Sequence, residues 1–238
     1  MVYQTRGIVL HKFTHTDNKM IVKIYTELYG MNSYLYFRSS KSKTHTNLLM
    51  PMSLIDIVSE KKNKGNLDYI KDIKVLANLN VGGFDIAKSS ICMFLNEILY
   101  KLFSEAGEDK TIFNFLFSSL SEFFTRQFIP DFHLRFLTAL VRELGCCPEN
   151  NFTSAKTVFS IEKSCFVYGL VEKKEEQNLG LHFHHLLEQD LFPDKQEKII
   201  PYMWRNSLLE MIMNYYTFHV TNLSQIKSHE ILKMVLHP

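Results

Sequence analysis

The first 80 residues alternate apolar and polar positions with a period near two, and the rest of the chain repeats them with a period near 3.6. Residues 2–11, 19–28, 32–38, 48–59 and 68–78 read as five short strands. Thr14 to Asn18, Gly30 and Lys61-Lys-Asn-Lys-Gly65 supply turns, and Pro51 pushes the fourth strand towards an edge or a bulge. On the third strand the alternation puts Tyr34, Tyr36 and Arg38 on one face and Leu35 and Phe37 on the other. Five strands in 80 residues predict a small closed barrel, of which the oligonucleotide-binding (OB) fold is the commonest form.

After Gly82-Gly83 the period changes. Ala87, Ile91, Phe94, Leu95, Ile98 and Leu102 predict a helix, Asp109 caps a second running to about Phe128, and Pro130-Asp131 opens a third, closed by Gly145. Thr157 to Ser160 and Cys165 to Tyr168 predict a short hairpin. Helices return near residues 179–188 and 197–220, and Ser228 caps a last one. The Glu172 to Glu176 run reads as a solvated turn. The fold class is therefore α+β: a barrel domain over 1–80, then a mostly helical domain over 81–238 with a small hairpin insertion.

Charge sharpens this division. The net charge of +2 conceals an uneven distribution. Residues 1–80 hold twelve Lys/Arg against six Asp/Glu, and the remainder holds fifteen against nineteen. A positive field confined to the barrel implies an anionic partner for it. Arg6, Lys12, Lys19, Lys23, Arg38, Lys41 and Lys43 are the candidate phosphate contacts, and Tyr34 and Tyr36 the candidate stacking platforms. The competing reading is a solvated barrel surface with the tyrosines half in the core.

Other chemistry is thin. Cys92, Cys146, Cys147 and Cys165 are too few and too irregular for a disulfide framework, which favours a reducing cytoplasm. Neither pair with C-x₂₋₄-C spacing that a structural zinc needs is present. A metallo-hydrolase site would have to use His182, His184, His185 and Cys165, yet His182 and His184 are two apart and do not share a helix face. There is no G-x-S-x-G, H-E-x-x-H or P-loop. No apolar run approaches a membrane span, and no secretory signal is visible. Arg135 and Arg142 lie on one side of the third predicted helix, beside Phe132 and Phe136. They either clamp an acidic peptide or flank a core stripe.

Several segments, in order, resemble the bacterial recombination-mediator family RecO. They are Thr5-Arg-Gly-Ile-Val-Leu10, the turn ending Asp17-Asn-Lys19, Tyr25-Thr-Glu-Leu-Tyr-Gly30, the basic loop Arg38-Ser-Ser-Lys-Ser-Lys43 and Leu49-Met-Pro-Met-Ser-Leu54. Phe132 to Gly145, ending in Leu-Gly, and Gln225 to Leu232 extend the resemblance over nearly the whole chain. It implies an OB barrel joined to a helical domain, with no enzymatic activity; no cofactor is expected, because the family's zinc site is degenerate in this sequence. It also implies binding of single- and double-stranded DNA, annealing of complementary strands, and loading of RecA onto SSB-coated single strands together with RecR and, in some bacteria, RecF. The acidic C-terminal tail of SSB would contact the helical part, and the protein would work at the nucleoid in the cytoplasm. DNA contact carries over best to Arg38, Lys41 and Lys43. Many members hold zinc with four cysteines in the region that corresponds to about 146–171. Here only Cys147 and Cys165 remain near it, so that region is degenerate. A helical adaptor with a protein-docking barrel, without direct DNA binding, is the alternative.

Overall fold

The computed structural model describes residues 1–37, 49–61, 67–79, 85–169, 174–192 and 199–236. These form two compact units, 1–128 and 129–238, so the predicted boundary near residue 80 falls inside the first.

The first unit begins with strands β1 (Val2–Thr16), β2 (Lys19–Thr26), β3 (Gly30–Phe37), β4 (Leu54–Glu60) and β5 (Asp68–Ala77). They close into a barrel of order β1-β2-β3-β5-β4, with β1 antiparallel to β2 and β4, and β3 parallel to β5. Closure leaves no sheet edge unpaired, which suits a module this small. The interior is built from Val9, Met20, Val22, Ile24, Tyr34, Tyr36, Ile55, Ile57, Ile70 and Ile73. Tyr3 joins them and donates its phenol to Asp68 at 2.7 Å.

Strand β4 starts later than the pattern predicts. Pro51 has no N–H for a ladder, and Met52 sits at φ 68° in the turn before the strand. That turn is tied to β1 by Met52 N–H donating to the Val9 carbonyl at 2.7 Å and Val9 N–H donating to the Ser53 carbonyl at 3.0 Å. A register shift in β1 between Val9 and His11 accompanies the contact.

Helices α1 (Ile86–Phe103) and α2 (Lys110–Thr125) complete the first unit. Asp85 caps α1 by accepting from Ala87 and Lys88 N–H, and Asp109 caps α2 by accepting from Ile112 N–H at 3.0 Å. Both helices lie against the barrel through Tyr25, an outward residue of β2 that stacks on Phe103 at 4.8 Å and packs near Phe113 at 6.1 Å.

The second unit holds α3 (Phe132–Glu143), the hairpin β6 (Lys156–Ser160) and β7 (Cys165–Tyr168), then α4 (Lys174–Glu188), α5 (Tyr202–His219) and α6 (Ser228–Leu236). Helix α4 takes in part of the run predicted as a turn. Glu175 and Glu176 lie in its first turn, where carboxylates offset the positive end of the helix dipole. Its core is an aromatic cluster: Phe159 meets Phe166 at 5.2 Å and Phe183 at 4.6 Å, both edge-on. Phe152 meets Phe166 edge-on at 5.3 Å.

Candidate nucleic-acid interface

Strand β2 defines the two sides of the barrel wall. Met20, Val22 and Ile24 point inwards, so Lys19, Ile21, Lys23 and Tyr25 point outwards. Residues directly opposite in a ladder share a face. Val22 pairs with Tyr34 and Met20 with Tyr36, so both tyrosines face the interior; Tyr34 is fully buried and Tyr36 is 8% exposed. Burial also pushes the Tyr34 phenol above its ordinary pKa. The expected stacking role of these two residues is therefore corrected: no base reaches either ring without opening the barrel.

The outer wall carries different aromatic residues. Phe13 pairs with Ile21, Ile21 with Leu35, and Leu35 with Tyr69, a single row across β1, β2, β3 and β5. One step along, Lys19 pairs with Phe37. The Phe37 ring stacks on Tyr69 at 5.2 Å with 21° between the planes, and the Lys19 ammonium lies 5.6 Å from the Phe37 centroid. Phe37 is 46% exposed and Phe13 42%. Such a cation–π contact in the open is worth only about 0.5–1 kcal/mol, so Lys19 is readily exchanged to another anion or ring. Sequence reasoning missed Phe13, Phe37 and Tyr69. The signal was the ladder register: an apolar inner face of β2 obliges Tyr34 and Tyr36 to point inwards and Phe37 outwards.

The remaining candidate cations divide. Arg38, Lys41 and Lys43 lie outside the described residues. Lys23 donates to the Tyr100 hydroxyl at 2.8 Å and lies 5.1 Å from that ring. Lys12 pairs with Val22, on the opposite face of the β1–β2 ribbon from Phe13. Arg6 is committed within the first unit. Its Nε and Nη2 grip the two Glu27 oxygens at 2.9 Å each, Nη2 also donates to Asn114, and the guanidinium lies 5.0 Å from the Phe117 centroid. The fork ties β1 to the turn after β2, and the contacts with Asn114 and Phe117 reach from there to α2. Lys19 and Lys23 are thus the candidate cations on the outer face of β2, four residues apart with Ile21 between them.

In the second unit Arg135 is 2% exposed, which excludes it from clamping an acidic peptide at the surface. It pairs with Asp131 at 3.2 Å and donates to the Asp190 carbonyl at 2.8 Å. Asp131 also accepts the Ile200 N–H at 2.9 Å. Arg142 is exposed and donates to the Leu187 carbonyl at 3.0 Å. Both arginines therefore serve carbonyls at the C-terminal end of α4, where cations are favoured. Phe132 and Phe136 are fully buried and offer no exposed edge to a peptide.

The degenerate zinc region is held by other means. Among the described residues no three His, Cys, Asp or Glu side chains converge as a metal site requires. The Cys146 sulfur lies near backbone carbonyls of Leu144 and His219, and that of Cys147 near the Pro148 carbonyl. These residues do not fit a zinc ion. Instead Tyr215 donates to the Cys146 carbonyl at 2.9 Å and shares a 2.6 Å contact with the Ser164 hydroxyl, and His219 Nε2 lies 2.6 Å from the Ile161 carbonyl. The three histidines of α4 contact one another through His185, yet His182 and His184 also pack on different rings. His184 stacks on Phe152 at 4.5 Å, and His182 packs near Trp204, where burial and then His185 lower its pKa.

A closed five-stranded barrel of this order, followed by helices and a two-stranded sheet, defines an OB-type α+β protein. Residues 1–79 match the family model described as "Recombination protein O N terminal", and residues 83–181 the one described as "Recombination protein O C terminal". The proteins named DNA repair protein RecO from Azobacteroides pseudotrichonymphae and Phocaeicola vulgatus are each 32% identical to the chain, over 99% and 98% of both sequences. That of Flavobacterium psychrophilum is 27% identical over 99% of both. The chain belongs to the RecO family of DNA repair proteins.

Proposed function

We propose that this protein is a non-enzymatic recombination mediator whose barrel binds DNA. The observation that supports the reading most is the outer barrel wall, where Lys19 stands beside the exposed Phe37 ring and Lys23 shares the same face, in a module whose sequence is strongly basic. Lysines neutralise phosphates and release counterions, which gives affinity for single and double strands alike. Arg38, Lys41 and Lys43 add to the same field from the sequence that follows Phe37. Lys12 belongs to the same module, whereas Arg6 contributes charge while held by Glu27.

In this reading the protein screens the phosphates of two strands at once and so lowers the repulsion that opposes annealing. Together with RecR, and with RecF where a bacterium uses it, it helps load RecA onto SSB-coated single strands at the nucleoid. The helical unit receives the acidic SSB tail, with Arg142 as its exposed candidate contact. Among the described residues no helix is long and apolar enough to cross a membrane.

Mixing complementary oligonucleotides with and without the protein at low salt tests the mediator role. A protein-dependent rise in the annealing rate is expected. An unchanged rate with both strands bound contradicts it and favours the adaptor alternative.

A further inference from the structure

We propose that Phe37, Tyr69 and Phe13 form a base-stacking surface on the outer barrel wall, selective for unpaired strands. The inference rests on the DNA-binding reading above and names the residues that would discriminate between strand types, none of which was a candidate from the sequence.

Three observations converge on it. Large apolar rings are ordinarily drawn into a core, yet Phe37 and Phe13 keep 46% and 42% of their surface in solvent on a closed barrel. They occupy one face, because Phe13, Ile21, Leu35 and Tyr69 pair in a single row and Phe37 stands one step along from it. Phe37 is also pre-positioned: Tyr69 stacks on it at 5.2 Å, so the ring has little freedom to lose when a base arrives.

The chemistry selects the ligand. Every base presents a π face, and an aromatic ring stacks on it without reading its edge. In a duplex those faces are already covered by neighbouring base pairs, so the wall rewards only unpaired bases. Phe13 and Phe37 stand on strands either side of β2, on the order of 10 Å apart by strand spacing, so each ring takes its own base. Lys19, opposite Phe37 and two residues from the Phe13 row at Ile21, lies where the phosphate between those bases would pass, and Lys23, two residues beyond that row, can meet the next one. Lys19 gives up only a weak, exposed contact with the Phe37 ring to meet a phosphate. Ile21 and the buried Leu35 stand between Phe13 and Tyr69 in that row, so no polar side chain interrupts it.

The test is a titration of the full-length protein and of Phe37→Ala and Phe13→Ala. The probes are a mixed-sequence single strand, the same strand with its bases removed, and the corresponding duplex. Both rings are exposed, so truncation leaves the barrel core intact, and circular dichroism checks this. Each alanine variant is expected to lose roughly 5- to 150-fold in affinity for the base-bearing single strand. The abasic strand and the duplex should bind the variants as they bind the parent, with the same salt dependence. Phe37→Trp keeps the platform and should restore the affinity. Single-strand affinity unchanged in both alanine variants overturns the stacking surface and leaves the wall to a protein partner. A parent protein that binds no strand overturns the DNA-binding reading beneath it instead.

Discussion

Arg6 shows how a surface cation can belong to the fold before it belongs to a ligand. Its fork onto Glu27 holds the Glu27 carboxyl below the usual carboxylate range, chiefly by that hydrogen bond, and Glu27 in turn raises the guanidinium. A carboxyl whose pKa is lower folded than unfolded stabilises the protein above its unfolded value of about 4.3. That contribution disappears as the pH falls through the folded value. Arg6→Gln should therefore cost about 1 kcal/mol at neutral pH, a modest figure because the pair is partly exposed. Urea unfolding of parent and variant at pH 7 and near pH 3 checks the sign. The gap should be widest at pH 7 and shrink in acid; an equal gap at both values would place the stabilisation in ring packing alone. Arg135 is the buried counterpart. Its ion pair with Asp131 is almost wholly out of water, so the residue that looked like a peptide clamp is a core component.

At the scale of elements, periodicity carries most of the information, and register carries the rest. The five strands, the hairpin and the helices are legible because apolar positions recur with periods of two or 3.6. The inside and outside of β3 were not, because its residues 34–37 are all aromatic or apolar and either face could be the core. Pairing with β2 resolves it: Met20 and Val22 draw Tyr36 and Tyr34 inwards. The start of α4 was equally hidden, since an acidic run reads alike as a turn or as a helix N-terminus. That helix packs tightly on the hairpin at Gly180, where a Cβ would collide with the Thr157 carbonyl oxygen and lie 3.7 Å from the Phe166 ring. The obstacle is backbone and cannot rotate away. Gly180→Ala should destabilise the protein by about 1–3 kcal/mol despite alanine's better helix propensity. A chemical-denaturation midpoint unchanged or raised by the substitution would mean that α4 and β6 are not packed this closely.

For the whole molecule, the segregation of charge was visible in the sequence, while its use depends on which cations remain available. Of the seven predicted phosphate contacts, Arg6 is engaged by Glu27, and Arg38, Lys41 and Lys43 lie outside the described residues. Lys19 and Lys23 lie on the outer wall, Lys23 donating to the Tyr100 hydroxyl and the Lys19 ammonium held, among the described residues, only by its contact with the Phe37 ring. The most direct test of DNA binding by this barrel is the affinity for a labelled single strand across a salt series. Neutralising about four phosphates predicts a slope of log K on log salt near −3, and Lys19→Gln should make it shallower by about 0.7. An affinity that is weak and flat in salt, untouched by Lys19→Gln, would contradict it.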